Sequence, residues 1–347
     1  MKALPMKIDI FNHFMPKQYF DRLPTFIPGH AVLDAFPRIK TLVDVDARLR
    51  LIDEFDEMQH VPSLANPPLE LIGPPDVTPE LARVANDALA ELCTKHPQHF
   101  PAFVAALPMN NIDATLAEID RAVGKLGARG VQVFTNVAGK PLSGQEFRPI
   151  FKRMAEHDLA VWVHPMRGPN VPDYASEQSS EDEIWFMFGW PYETTACMTR
   201  LIYSGIFDEL PNLKIITHHM GGMIPYFSGK ITLGFRQIFY GTPERNPLAD
   251  ERGLEKPPID YFRMLYADTA LNGVRAATHC GHAFFGTQSC LFATDAPFDA
   301  EGGRGLIRNT IEAIEALELS VAERKQIFAD NAQALLKLSV QAKSKRA

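Results

Sequence analysis

At 347 residues the chain has room for one large domain or two ordinary ones, and 46% hydrophobic against 22% charged residues is the balance of a globular protein with a sizeable core. A formal net charge of −7 argues against a nucleic-acid partner, which would ask for a basic face. No apolar run approaches about 18 residues and MKALPMKIDI lacks the apolar stretch of a signal peptide, so neither a membrane association nor export is expected.

The four cysteines, at 93, 197, 280 and 290, form no close pair and read as reduced core thiols of a cytoplasmic protein. Eight short apolar runs recur along the chain, at 8–13, 59–64, 102–107, 130–134, 159–164, 213–218, 264–267 and 290–294. The first, in KIDIFNHFMP, places Phe11 and His13 two apart, on one face of a strand. Stretches of helical periodicity lie between the runs, at 78–95, 112–126 and 144–157. Thr78-Pro79 reads as an N-cap followed by proline at the first helical position. Two further helices, 302–317 and 320–338, close the chain, with Ser320 and Glu323 forming a capping box.

Strand and helix alternating in this way predict an α/β fold, a (β/α)8 TIM-type barrel. Such barrels need ~250 residues, which leaves roughly 100 for insertions at the C-terminal rim. The Pro- and Phe-rich segment 15–41 and the polar-then-aromatic segment 167–192 are the two main ones, with a shorter excursion at 241–258. With no linker or repeat, residues 1–347 read as one domain.

The runs end in polar residues: His13 in the first, His164 in the fifth, His218-His219 at the sixth and Asp295 after the eighth. In a barrel, strand ends converge on one mouth, where three imidazoles and a carboxylate suit a divalent transition metal. Each also has a plainer reading: a histidine can be a hydrogen-bonded strand cap, and Asp295 before Ala296-Pro297 an Asx-type turn. The four together favour a shared site.

These residues, in this order, resemble the amidohydrolase superfamily, in particular the branch holding aminocarboxymuconate semialdehyde, γ-resorcylate and 5-carboxyvanillate decarboxylases. The most specific block is WPYETTACMTRLIYSGIFDELPNLKIITHHMGGMIPYFSGKI at 190–231, supported by LANPP, VWVHP and FATDAPFD. The resemblance implies one divalent metal, zinc first, with manganese or magnesium as alternatives. Carried over by position, the ligands are His13, His164 and Asp295, while His219, directly before Met-Gly-Gly, is catalytic together with Asp295. His218 then faces away and packs structurally. The first-strand His-x-His (or Glu-x-His) departs: Phe11 stands where the first ligand belongs and cannot coordinate a metal, which turns it into a candidate substrate wall. Lys230 holds the place of a basic residue that reaches a substrate carboxylate in the neighbouring subunit, while Arg48 and Arg50 read as surface charges.

The activity implied is metal-dependent non-oxidative decarboxylation of a hydroxylated aromatic or muconate-like acid, in a homodimer acting on a small carboxylate. Hydrolysis or hydration on the same site is the alternative, and a non-enzymatic relative that lost its metal at Phe11 is a third reading.

Overall fold

A computed structural model describes residues 6–234 and 251–338. Eight strands fall on the eight apolar runs: β1 Lys7–Phe14, β2 Met58–Leu64, β3 Ala105–Ala106, β4 Gly130–Phe134, β5 Ala160–His164, β6 Lys214–Thr217, β7 Tyr266–Asp268 and β8 Cys290–Leu291. All neighbouring pairs are parallel, with β1 on β2 and β3 to β8 side by side in chain order. Two seams close the ring. Val104 N–H donates to Pro62 O at 3.0 Å, joining the third run to β2, and Ile10 N–H donates to Phe292 O at 3.1 Å, joining the last run to β1. The expected barrel is the observed one.

The eighth run keeps regular pairing with β7 for only two residues, and its seam with β1 holds the Asp9 side chain. Its Oδ1 accepts from the backbone N–H groups of Phe11 (3.1 Å) and Thr294 (3.2 Å), inserting a side chain where the ladder would continue. On its other side, against β2, the register of β1 shifts between Asp9 and Asn12.

Helices α1 Val45–Asp53, α2 Thr78–Lys95, α3 Ile112–Arg121, α4 Arg148–His157, α5 Trp190–Tyr203, α6 Pro258–Arg263, α7 Arg275–Phe285 and α8 Arg304–Glu315 follow their strands and bury an apolar face on them. The Ser320–Glu323 capping box forms as expected. Thr78 does not cap α2: the helix already includes it, and its hydroxyl donates to Asn110 Oδ1 at 2.6 Å.

Ile8, Ile10, Val104, Trp162, Ile216 and Leu291 fill the barrel interior. Trp162 is fully buried and donates from Nε1 to Ile10 O at 3.0 Å, so its single polar atom is satisfied. Burying an indole of about 150–250 Å² is worth roughly 4–6 kcal/mol of transfer free energy. The neighbouring strand makes room with Gly130, where a Cβ would lie 2.2 Å from the Trp162 ring.

Segment 15–41 folds into short helical turns whose Tyr19, Leu23 and Phe36 join Leu64 and Leu81 in a satellite core. Arg48 corrects an expectation. It is no surface charge but fully buried, because α1 packs its start against the end of β1. Its guanidinium donates to Thr41 O (2.7 Å), Asn12 Oδ1 (3.2 Å) and His13 O (2.5 Å) and lies 3.2 Å from His60 Nδ1. Arg50 is exposed as expected. The four cysteines are free thiols. Among the described residues no helix is long and apolar enough to cross a membrane. Much of the excursion expected at 241–258, residues 241–250, lies outside the described residues.

Candidate active site at the barrel mouth

His13 stands near the end of β1, His164 ends β5, His218 and His219 follow β6, and Asp295 follows β8. The barrel folds these distant positions onto one rim. His13 Nε2 lies 3.1 Å from Asp295 Oδ1 across 282 residues of sequence, and His219 Nε2 lies 3.5 Å from Asp295 Oδ2. The His164 ring centre is 5.4 Å from that of His13.

Phe11 occupies the middle of this group. It is fully buried, with ring-centre distances of 4.7 Å to His13, 5.5 Å to His164, 6.0 Å to His219 and 3.7 Å to His218. The strand alternation that places Phe11 beside His13 therefore holds despite the register shift. Five sequence-derived residues, Phe11, His13, His164, His219 and Asp295, thus meet. Lys230 does not join them: it is exposed on a short turn, with no side-chain hydrogen bond or ion pair among the described residues.

His218 also corrects an expectation. Alternation predicts that it faces away while His219 faces the site, but His218 is still extended (φ −77°, ψ 157°) and it is His219 that leaves the strand conformation. His219 and Met220 adopt left-handed backbone (φ 54° and 50°), followed by Gly221 and Gly222 at 74° and 63°. His218, still extended, lies flat against Phe11 with an interplanar angle of 22°, and the turn that follows it carries His219 to Asp295. At Gly222 a Cβ would sit 2.4 Å from Pro191 O, so only glycine completes the turn.

Sequence reasoning missed the groups that hold these side chains. His13 Nδ1 lies 3.3 Å from Ser63 Oγ, and His164 Nδ1 lies 2.6 Å from Pro165 O. Asp268, fully buried at the end of β7, bonds His218 Nδ1 and accepts from the backbone N–H groups of His219 (2.9 Å) and Ala270 (3.0 Å). Asp268 carries the same signal as Asp295, an acid directly after an apolar run, and could have been found by it.

Burial alone would push the Asp295 carboxyl up, but hydrogen bonds from His13 and His219 outweigh it and hold the group well below the usual carboxylate range. Burial would likewise lower His219, yet facing Asp295 raises it. His164 is driven well below the ordinary histidine value by burial, then by His13 and His218, and is neutral. Burial also lowers His218, against the pull of Asp268. Beneath the site, burial lifts Asp9 to about 7 against its bond from the Thr294 hydroxyl.

The donor chemistry fits a divalent metal. With Nδ1 of His13 and His164 tied to neighbours, Nε2 is left as the ligating atom of each, that of His13 already facing Asp295, the second-sphere arrangement typical of metal-bound histidine. Asp295 is ionised and reaches His13 directly. Phe11 removes one corner, and among the described residues no three His, Cys, Asp or Glu side chains stand close enough to enclose an ion without adjustment.

Segment 167–192 forms a wall beside His164. Trp190 packs edge-on at 5.5 Å from the His164 ring and donates to Arg167 O at 3.1 Å. Arg167 crosses Gly189, where a Cβ would meet its Cδ at 2.5 Å, and reaches Glu193 (3.3 Å) and Pro172 O (3.0 Å). Behind it a cavity of about 520 Å³ is lined by Asn136, Met166, Arg167, Glu193 and Arg200, and none of the five site residues borders it.

Comparison with known proteins agrees with this geometry. γ-Resorcylate decarboxylase of Rhizobium sp. (strain MTP-10005) is 30% identical over 345 residues, covering 96% of this chain and 98% of that one. 2-Amino-3-carboxymuconate-6-semialdehyde decarboxylase of Dictyostelium discoideum is 26% identical, covering 96% and 92%. The crystal structure of a dihydroxybenzoic acid decarboxylase from Polaromonas sp. JS666, with bound manganese and the inhibitor 2-nitroresorcinol, superposes with a TM-score of 0.77 at 28% identity, covering 96% and 97%. The amidohydrolase family profile matches residues 44–338, and with a barrel closed strand by strand and its histidines and aspartate gathered at the mouth, this chain belongs to the amidohydrolase family.

Proposed function

We propose that this protein is a non-oxidative decarboxylase of a hydroxylated aromatic or muconate-like carboxylic acid. The observation that carries the reading is the convergence of His13, His164, His219 and Asp295 around Phe11 at the C-terminal mouth. The relatives named above act in this class, so the hydrolytic or hydratase alternative is not favoured.

His13, His164 and Asp295 would hold one divalent ion, which when bound supplies a cationic anchor for the substrate carboxylate and an adjacent hydroxyl. Zinc suits a set of two histidines and one carboxylate, and the manganese of the Polaromonas structure is its competitor. Proton handling falls to His219 and Asp295. Facing Asp295 favours the protonated imidazole, and a proton on His219 Nε2 can pass, directly or through the carboxylate, to the ring carbon bearing the carboxyl group. The C–C bond then breaks, its electron pair restores conjugation, and carbon dioxide leaves. Phe11 and Trp190 keep water from the reacting face, with segment 167–192 as the lid of a single domain. Lys230 of a neighbouring subunit would meet the substrate carboxylate in a cytoplasmic homodimer, as a point charge rather than a fork.

Carbon dioxide release from 2,6-dihydroxybenzoate and a panel of hydroxybenzoates and muconates tests this. Metal-replete protein turns over at least one of them, and Asp295→Asn or His219→Asn lowers kcat by about 10²–10⁴. No release from any member of the panel, or full activity in Asp295→Asn, overturns it.

A further inference from the structure

His218 carries chemistry that the reading above does not use. Its Nδ1 is bonded to the Asp268 carboxylate, so Nε2 bears a lone pair. That Nε2 is buried with no hydrogen-bond partner among the described residues. A buried, unsatisfied acceptor is costly and asks for an occupant. Topology gives its direction. Strand β6 lies between β7, which ends in Asp268, and β5, which ends in His164. An imidazole whose Nδ1 is held on the β7 side turns Nε2 towards the β5 side, where the His164 ring centre lies 5.6 Å away.

His13, His164 and His218 therefore share one design. Each has Nδ1 fixed by an oxygen atom, of Ser63, Pro165 and Asp268 respectively, and each surrounds Phe11. A carboxylate on the far nitrogen is also what raises the basicity of a metal-bound histidine. The Phe11 stack does not block this role. Stacking covers the ring face, whereas the Nε2 lone pair lies in the ring plane.

We propose that His218 is a metal ligand of this chain, the third imidazole beside His13 and His164, compensating for the donor absent at Phe11. The inference rests on the metal-dependent reading above and adds to it a ligand from a different strand. It makes Phe11 and His218 a matched pair: a first-strand donor is dispensable because the sixth strand supplies another.

The test titrates Zn²⁺ into metal-free full-length protein against a chelator, alongside X-ray absorption of the loaded protein to count imidazoles. His218→Asn is the chosen variant, since an asparagine amide can still donate to Asp268 while Nε2 is removed. We expect Zn²⁺ affinity to fall at least about 10–100-fold, the loss usual even for second-sphere partners, and the imidazole count to drop from three to two. In a Phe11→His background the same substitution costs little, because the first strand then provides the donor, and this arm guards against a folding defect. Unchanged affinity in His218→Asn, with two imidazoles in the parent protein, overturns the proposal while leaving the metal site standing. Uptake by the parent no greater than by His164→Ala overturns the metal reading itself, and this proposal with it.

Discussion

Replacing Arg48 with methionine should destabilise the protein more than any surface change, although no charge was expected in its core. The guanidinium is fully buried and donates to Thr41 O, Asn12 Oδ1 and His13 O. Methionine matches its length and leaves three buried acceptors unpaired, each costing about 1–3 kcal/mol. Over three acceptors that range sums to about 3–9 kcal/mol, overlapping the roughly 3–5 kcal/mol for removal of one partner from a buried ionic network. Part is offset because the cation is itself strained by burial, which pushes Arg48 down to about 10. The expected net loss is about 3 kcal/mol, a large share of a total stability of about 5–15 kcal/mol. In urea, with a slope of about 3 kcal/mol per M, the midpoint should move down by about 1 M. Arg48→Lys, which keeps the charge without the fork, should fall between. A midpoint shift below about 0.2 M for the methionine variant would show that desolvation cancels the hydrogen bonds, refuting the idea that Arg48 secures the end of β1.

Asp9 should give the stability curve a falling limb. Its folded-state value is lifted from 3.8 to about 7, so between those pH values the folded protein keeps a proton that the unfolded chain has released. Stability from this group is therefore present below about pH 4 and lost as pH rises towards 7, about 4 kcal/mol in all. Asp9→Asn should flatten that limb in denaturation experiments at pH 4–7, and an unchanged slope would assign it elsewhere. Gly130→Ala places a methyl 2.2 Å from Trp162 and 2.6 Å from Ala160 O, and should cost about 3 kcal/mol with a change in tryptophan fluorescence. A melting temperature within about 2 °C of the parent would show that the barrel interior yields there.

The barrel was legible because its strands are fully buried and read as unbroken apolar runs, and because most runs end at the rim in a polar residue. His13, His164, His218, His219 and Asp295 were singled out by that signal, and the choice among them by the resemblance. Arg48 was not, since a helical arginine near a strand looks the same whether it points out or in; what buries it is the satellite core of 15–41 and the acceptors at the end of β1. His218 was misjudged because alternation was carried through to His219, whereas His218 is the last extended residue and His219 opens a left-handed turn that HHMGG announces only through its glycines. Asp9 and Ser63 act by tertiary contact, which no spacing in the sequence records.

The wall beside His164 bears on how fast a substrate can be captured. Segment 167–192 is tied to itself: Glu177 accepts from the N–H groups of Asp173 and Tyr174, Asp173 holds the Ser180 hydroxyl at 2.6 Å, and that hydroxyl accepts from Trp185 N–H at 3.0 Å. A segment braced in this way loses little further freedom when a ligand arrives, where a slack loop gives up about 0.5–1.5 kcal/mol for each side chain it immobilises. Encounter should then be governed by diffusion past a standing wall rather than by waiting for a loop to order. Affinity differences among acids of one size would appear as differences in how long each stays.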